Sequence, residues 1–322
     1  MTPAIDKILL SARELRRTIV FPETDDPRVI EAAQRIATQN LGIPLLIDPP
    51  SNVQLPPEIQ TISTGDLAVR DACAAQLFEN RKHKGLSREA AEIAVTEDRL
   101  IFAALLIRIG RADAGVAGSL ATTASVIRAG LYGIGTPPTS KLVSSFFMMQ
   151  LRDGRAVTFA DCGVVPDPNA EQLAEIAVTA AENHRRLTSE EPRVAMLSFS
   201  TRGSADHPRV DKVRQATQIA QRLRPAMAID GELQFDAAFV PSVAERKAPN
   251  SRVAGQANVF VFPDLDSGNI AYKIAERIGG AAAFGPIVQG LQQPFMDLSR
   301  GCSISDIVNV AAIAACLTQT NR

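Results

Sequence analysis

Four polar residues near the end of the chain have the types and spacing needed to bind and activate an anionic substrate: Ser299, Arg300, Ser303 and Asp306. They follow a short predicted strand and precede a nearly all-apolar segment, 307–317, which is typical of a buried helix. The N-terminus of a helix offers unpaired N–H groups and a partial positive charge, and both hold anions. The planar guanidinium of Arg300 adds donors suited to phosphate or carboxylate.

Asp306 is the exception in this stretch, because an acid is unexpected in an anion site. Ser303 and Asp306 have the spacing of a capping box, in which each side chain binds the other's backbone N–H at a helix N-terminus. The same carboxylate could instead act as a general base. The local pattern favours the cap, and these residues alone leave both roles open.

A second candidate anion site follows the short apolar stretch 114–117. The chain continues there through a turn of small residues, 118–123, into a predicted helix that carries Arg128. The hydroxyl-bearing residues of this turn are Ser119, Thr122 and Thr123. Such a turn at a helix N-terminus supplies donors suited to phosphate. It matches neither a P-loop nor a dinucleotide-binding fingerprint, so neither is predicted.

A third cluster is basic and runs from Arg81 to Lys84 before Gly85. It ends a predicted helix that begins near Asp66. Basic side chains at a helix C-terminus compensate the helix dipole, and the following glycine is typical of a C-terminal cap. An anion site is the alternative interpretation of the same residues.

The elements that must position these residues alternate between strands and helices along the chain. Such alternation predicts an α/β fold with mostly parallel sheets flanked by helices. Asp153-Gly154 between two strand-like segments, 141–150 and 155–160, predicts one antiparallel hairpin. The Pro-rich stretch 52–64 predicts a loop.

Composition excludes several classes of function. The net charge is −1 and the sequence has no Trp, so nucleic-acid binding is not expected. No apolar run reaches the ~18 residues of a membrane span, so no membrane partner is expected. The four cysteines and three histidines are scattered, which predicts no metal site and suits the reducing cytoplasm.

Ordered blocks of the sequence then resemble the phosphate acetyltransferase (phosphotransacetylase) family. One block is Asp297-Leu298-Ser299-Arg300-Gly301-Cys302-Ser303, and the others are 81–85, 122–123 with Arg128, 194–204, 230–238, 247–249 and 262–269. They span the chain from about residue 18 to its end. The resemblance is to the short, stand-alone form of the enzyme.

The resemblance implies a reversible transfer of an acetyl group between acetyl-CoA plus phosphate and acetyl phosphate plus CoA, as in acetate metabolism. It implies two α/β domains with a cleft between them, 1–140 with 290–322 and 141–289, similar to isocitrate and isopropylmalate dehydrogenases. It also implies a homodimer. Acyl transfer to a thiol needs no cofactor, since coenzyme A is a substrate.

The same resemblance implies roles for individual residues. Asp306 corresponds to the family's proposed base, which would deprotonate the thiol of CoA in a direct attack within a ternary complex. Arg300 and Ser299 would stabilise the developing charge or the leaving phosphate. Arg81 and Arg128 correspond to arginines that hold phosphate or CoA. The hydroxyls of Ser119, Thr122 and Thr123 would lie near the phosphate.

One departure and two rival functions accompany the resemblance. Ala117 stands where relatives often carry Ser, which removes one hydroxyl near the expected phosphate. A phosphate butyryltransferase would share the fold and the chemistry. A non-catalytic acyl-CoA-sensing module, related to the C-terminal domain of some malic enzymes, is the alternative from another class.

Overall fold

The computed structural model describes residues 4–138 and 140–318, which form two compact units. The first unit combines 5–138 with 291–318, and the second contains 140–290. Each unit has its own sheet. The predicted α/β class with mostly parallel sheets flanked by helices is confirmed.

The first unit is built on a five-stranded sheet in the order β11-β4-β1-β2-β3. All of its neighbouring strands pair in parallel. Its strands are β1 (Thr18–Phe21), β2 (Ile43–Ile47), β3 (Gln60–Ile62), β4 (Ala114–Ala117) and β11 (Phe295–Asp297). Its helices are α1 (Ala4–Leu15), α2 (Pro27–Thr38), α3 (Leu67–Arg81), α4 (Arg88–Glu97), α5 (Arg99–Arg108), α6 (Thr123–Gly133) and α12 (Ile304–Leu317).

The helix α12 returns the end of the chain to the first unit. It packs against α2, β4, β11 and β1. Nine of its fourteen residues are buried, which explains its nearly all-apolar sequence. Because α12 directly follows β11, its N-terminus lies beside the carboxyl end of that strand.

The second unit is built on a six-stranded sheet in the order β10-β5-β6-β9-β7-β8. The pairs β10–β5 and β5–β6 are antiparallel, and the others are parallel. Its strands are β5 (Ser144–Gln150), β6 (Ala156–Ala160), β7 (Arg193–Leu197), β8 (Ala228–Leu233), β9 (Val259–Val261) and β10 (Ala282–Gln289). Its helices are α7 (Ala170–Thr188), α8 (Pro208–Leu223), α9 (Phe235–Phe239), α10 (Pro241–Lys247) and α11 (Leu265–Arg277).

Local patterns predicted most of these elements, with one instructive exception. The hairpin between β5 and β6 is confirmed, and Gly154 has the positive φ of +87° that its turn requires. The expectation of loop throughout 52–64 is wrong at β3, which pairs in parallel with β2. This strand has three residues and no buried side chain, so it lacks the apolar alternation that reveals a strand.

His184 is the most deeply buried titratable ring of the second unit. It lies on α7 with no solvent exposure. Its Nδ1 lies 3.0 Å from the Thr158 hydroxyl, and its Nε2 has no hydrogen-bond partner among the described residues. Burial, assisted by the charge of Arg193, lowers the pKa of His184 to about 4. The folded protein therefore keeps this ring neutral well below the ordinary pKa of histidine.

We expect this histidine to make the protein acid-sensitive. A depressed pKa contributes stability that is present above about pH 6.5 and is lost as the pH falls toward 4, because only the unfolded chain takes up the proton. Between pH 7.5 and 5 the loss is about 2 kcal/mol. Melting temperatures of the wild-type protein and His184→Gln measure it, and the variant should show the smaller decrease. Equal decreases would contradict the assignment.

Candidate functional site

Asp306 lies in the first turn of α12 and forms a capping box with Ser303. The Ser303 hydroxyl accepts a hydrogen bond from the Asp306 N–H at 3.2 Å. One carboxylate oxygen of Asp306, Oδ2, accepts both the Ser303 N–H at 2.8 Å and the Ser303 hydroxyl at 2.9 Å. The capping box predicted from the sequence is therefore confirmed.

The cap leaves the other oxygen of Asp306 available. Oδ1 accepts no hydrogen bond from any residue that the structure describes, and the side chain is exposed. The Asp306 carboxyl group is thus not buried against α12, although its neighbour Ile307 is. Cap and base are consequently not exclusive roles, because each uses a different oxygen.

Ser299 and Arg300 lie in the loop between β11 and α12, and both side chains are exposed. The Ser299 Oγ accepts the Gly301 N–H at 3.3 Å, which leaves its own hydrogen free to be donated. The Arg300 guanidinium makes no ion pair or hydrogen bond within 4–138 and 140–318. This loop therefore presents a hydroxyl and a cationic fork to solvent.

Arg28, which the sequence analysis did not single out, holds that loop in place. Its Nη1 donates to the carbonyl oxygens of Arg300 at 3.0 Å and Cys302 at 2.8 Å. Its Nη2 donates to Asp26 Oδ2 at 2.7 Å and to the Ser119 carbonyl at 3.1 Å. One guanidinium thus links the β11–α12 loop to the turn after β4. In the sequence, the only indication of this role was the position of Arg28 at the start of a helix that follows a strand.

The turn after β4, residues 118–121, has the donors that the sequence predicts, but a carboxylate of the protein fills it. Glu23 Oε2 accepts the N–H groups of Gly118 at 2.6 Å and Ser119 at 2.8 Å. Glu23 Oε1 accepts those of Leu120 at 3.1 Å and Ala121 at 2.7 Å. Glu23 follows β1, the strand beside β4, so the common edge of the sheet brings it here.

The three hydroxyl residues expected near a phosphate have different surroundings. Ser119 is buried, and its hydroxyl donates to Glu23 Oε2 at 3.2 Å instead of facing an open site. Thr122 is the N-cap of α6 and accepts the Ser125 N–H at 3.2 Å. Thr123 donates its hydroxyl to Asp297 Oδ2 at 2.6 Å. Of these three residues, Thr122 and Thr123 are exposed and Ser119 is not.

Asp297, at the end of β11, is the second acid that sequence analysis missed. It is buried, and its Oδ1 has no hydrogen-bond partner among the described residues. Burial raises the pKa of Asp297 to about 6. The negative charge of Glu23 also raises this pKa, whereas the hydrogen bond from Thr123 lowers it. Gly118 leaves room for it, since a Cβ there would lie 2.4 Å from Asp297 Oδ1.

Arg128 lies on α6, and Arg81, the last residue of α3, contacts α6 at a different position. Arg128 is exposed and lines an open groove of about 750 Å³ that Glu23 and Ala121 also line. Arg81 stacks over the ring of Tyr132, with its guanidinium carbon 4.0 Å from the ring centroid. Thr123 and Tyr132 are nine residues apart, so Arg81 lies roughly 14 Å along the helix from the N-terminus of α6.

The first unit therefore brings together most, but not all, of the predicted site. Arg28 ties the loop of Ser299 and Arg300 to the turn that precedes Thr122 and Thr123. The groove of Arg128 adjoins the same turn, whereas Arg81 lies toward the other end of α6. Ser299, Arg300 and Asp306 do not line that groove.

The cysteines are poor candidates for a nucleophile. Burial raises the pKa of Cys73 to about 12 and of Cys316 to about 11. Burial also raises the pKa of Cys162 and Cys302. The thiolate is the reactive form of cysteine, so a raised pKa disfavours reaction of these thiols near neutral pH. Within the described part of the chain, no cluster of three His, Cys, Asp or Glu residues could hold a metal ion.

Comparisons with known proteins agree on one family. The chain matches the family model described as Phosphate acetyl/butaryl transferase over residues 4–315. A phosphate acetyltransferase of Paracoccus denitrificans is 45% identical over 324 residues, which cover 98% of this chain and 99% of that protein.

Two solved structures are also similar over nearly the whole chain. A phosphotransacetylase from Streptococcus pyogenes is 42% identical with a TM-score of 0.87, and 97% of this chain and 98% of that one are covered. A phosphotransacetylase from Staphylococcus aureus is 36% identical with a TM-score of 0.89, with the same coverage. The chain belongs to the phosphate acetyl/butaryl transferase family.

Proposed function

We propose that the protein is a phosphate acetyltransferase that exchanges an acetyl group between acetyl phosphate and coenzyme A. The observation that carries this proposal is the high identity, over nearly the full length, to proteins of that name. The chemistry of the β11–α12 loop and of the first turn of α12 agrees with it, because together they offer a carboxylate, a hydroxyl donor and a free guanidinium.

Asp306 is the proposed base. An ordinary thiol titrates near ~8.5, so coenzyme A must lose a proton before its sulfur attacks efficiently. Asp306 Oδ1 has no partner among the described residues, so in this proposal it accepts that proton while Oδ2 remains bound to Ser303. The sulfur then bonds to the acetyl carbon, the bond from that carbon to the phosphate oxygen breaks, and phosphate leaves with the electron pair.

Arg300 and Ser299 are the proposed stabilisers of the developing charge. Fixed donors aimed at charge that develops in the transition state lower the barrier without further reorganisation. The Arg28 contact with the Arg300 carbonyl supports this role, since it fixes the backbone from which the guanidinium extends. Ser299 has a hydroxyl hydrogen to donate to the same oxygen or to the leaving phosphate.

The remaining predicted residues are proposed to bind different parts of the substrates. Thr122 and Thr123 lie exposed at the N-terminus of α6, where the Thr123 hydroxyl donates to Asp297. Arg128 adds positive charge to the adjoining groove. Arg81 is too distant along α6 to share one phosphate with Thr123, so we assign it to a remote part of coenzyme A. Ser119 contributes by binding Glu23.

Direct transfer is proposed because the protein offers no activated thiol of its own. The pKa values of all four cysteines are raised by burial, which disfavours an acyl-cysteine intermediate. Both substrates would then be bound together, and coenzyme A itself supplies the nucleophile. No metal or organic cofactor takes part in the proposed steps.

A coupled assay tests the function. Purified protein with acetyl phosphate and CoA should form acetyl-CoA and release phosphate in equal amounts. Butyryl phosphate in place of acetyl phosphate tests the rival acyl preference, and a faster rate with butyryl phosphate would favour that rival. Binding of acetyl-CoA without turnover would instead identify a sensing module.

We also propose a cytoplasmic homodimer. Three isoleucines at helical spacing form an exposed apolar stripe on α11 and its C-terminal cap. Ile270, Ile274 and Ile278 are 57%, 52% and 78% exposed. An exposed apolar stripe of this kind marks an association surface.

None of the described helices combines the length and apolar character needed to cross a membrane. All four cysteines are free thiols, which suits a reducing compartment. Cell fractionation tests the cytoplasmic location.

Sedimentation velocity measures the dimer. The wild-type protein should have about twice the 34.4 kDa mass of one chain. The variant Ile274→Lys should shift toward the single-chain mass, because it buries a charge in the proposed contact. The matched variant Leu10→Lys, which also replaces an exposed apolar residue, should leave the mass unchanged. A wild-type mass of one chain would refute the dimer.

The variant Asp306→Asn separates the two roles of Asp306. Asparagine keeps an oxygen for the Ser303 N–H but accepts no proton, so the cap persists while the base is lost. We expect kcat to fall by roughly 10²–10⁴-fold, with KM values within a few-fold of wild type. Steady-state kinetics and a melting curve measure both effects. A near-wild-type kcat would show that Asp306 is only a cap.

The matched control is Ser303→Ala. It removes the capping hydroxyl and leaves the carboxylate, so it should cost about 1 kcal/mol of stability. Its kcat should stay far above that of Asp306→Asn.

The variant Arg128→Ala tests the groove beside α6. Losing a charge-assisted hydrogen bond to a phosphate should raise the KM for acetyl phosphate or CoA by about 10–100-fold, with a smaller effect on kcat. Arg35→Ala, which removes an exposed arginine from α2, is the control. Unchanged KM values for both substrates would remove Arg128 from the site.

A further inference from the structure

The carboxylate of Glu23 is bound as a separate anionic ligand would be bound. Four consecutive backbone N–H groups, from Gly118 to Ala121, point at its two oxygens over 2.6–3.1 Å. The Ser119 hydroxyl is a fifth donor, at 3.2 Å. Glu23 itself is only 9% exposed. A run of N–H groups around a negative charge is the arrangement by which loops hold phosphate.

Within 4–138 and 140–318, no cation forms an ion pair with Glu23, although the charge of Arg28 interacts with it. The groups that contact its two oxygens directly are backbone and hydroxyl dipoles. Without it, the buried N–H groups of Gly118 and Ser119 would be unsatisfied, which costs about 1–3 kcal/mol for each group. The turn thus requires an acceptor with two oxygens, and the neighbouring strand β1 delivers one.

Residues on both sides of the candidate site are attached to this turn. On one side it leads directly into the N-terminus of α6, where Thr123 binds Asp297 at the end of β11. On the other side the Ser119 carbonyl accepts Arg28, which also holds the carbonyls of Arg300 and Cys302. Movement of the turn would therefore shift both the N-terminus of α6 and the loop that carries Arg300.

We propose that the β4–α6 turn is an anion site that the protein fills with its own carboxylate, and that Glu23 is a positioning residue for the acyl-transfer site. Both carboxylate oxygens of Glu23 are bound by the turn. In this role Glu23 fixes the turn, and through it the α6 N-terminus and the Arg28-bound loop. The kinetic part of this proposal rests on the proposed phosphate acetyltransferase activity, whereas the anion site does not.

The anion site is tested by removing the carboxylate and supplying a free one. Glu23→Ala leaves five donors around an unfilled space, so formate, which has the same two oxygens, should bind there. We expect formate at tens of millimolar to raise the melting temperature of Glu23→Ala, and chloride at equal ionic strength to do so less. Wild type and Glu31→Ala, which removes an exposed glutamate of α2, should show no specific response to formate.

The positioning role is tested by kinetics of the same variants. A displacement of about 1 Å in a catalytic arrangement can cost about 10²-fold, and we expect a loss of that order in kcat/KM for Glu23→Ala. Formate should restore most of it over the range that restores the melting temperature. A residue with a purely structural role would not produce this shared formate dependence of stability and rate.

The isosteric variant Glu23→Gln keeps the test decisive if Glu23→Ala does not fold. Its amide N–H₂ would face backbone N–H groups, so kcat/KM should fall although the side chain keeps its size. Wild-type kcat/KM in Glu23→Gln would overturn the positioning role. The absence of any formate-specific stabilisation in a folded Glu23→Ala would overturn the anion site.

Failure of the proposed function has a different signature. If the wild-type protein transfers no acetyl group from acetyl phosphate to CoA, the proposed activity is refuted. The formate-dependent melting temperature of Glu23→Ala would still report on the anion site.

Discussion

The candidate site depends on how three adjacent parallel strands end. The strands β1, β4 and β11 are neighbours in one sheet, so their carboxyl ends lie at a common edge. The turns that leave this edge carry buried backbone groups, and each must be hydrogen bonded because burial without a partner costs free energy. Glu23 satisfies the N–H groups after β4, and Arg28 satisfies carbonyls after β4 and after β11. The negatively charged Glu23 thus binds backbone N–H groups, and the positively charged Arg28 binds backbone carbonyl groups.

This constraint also explains the unequal environments of the three acids. Glu23 is buried but fully hydrogen bonded, so its charge is solvated by the protein itself. Asp297 is buried with one oxygen unpartnered, and burial raises its pKa to about 6. Asp306 lies outside the sheet edge and is exposed. Of the three, only Asp306 combines exposure with a free oxygen, which favours it over the buried acids for proton transfer to and from a substrate.

Periodicity and turn chemistry predicted the fold class, the hairpin at Asp153-Gly154 and the helix after Ser303, because these signals are local. The strand β3 could not be predicted, since pairing with β2 makes it a strand and its own residues carry no alternation. The sequence predicted anion-binding donors in the turn after β4, but not that Glu23 accepts them. Glu23 lies 95 positions from Gly118 in sequence, and only the strand order brings the two together.

The Ser303–Asp306 pair shows why a local pattern and a catalytic role can coincide. A capping box uses one carboxylate oxygen and fixes the side-chain rotamer at low entropic cost. A general base needs one oxygen in a fixed direction. In the proposed mechanism, the cap therefore preorganises the base. A motif that indicates a helix start in most sequences would, in that mechanism, also aim a proton acceptor, because the oxygen of Asp306 that the cap leaves free is held by the same fixed side chain.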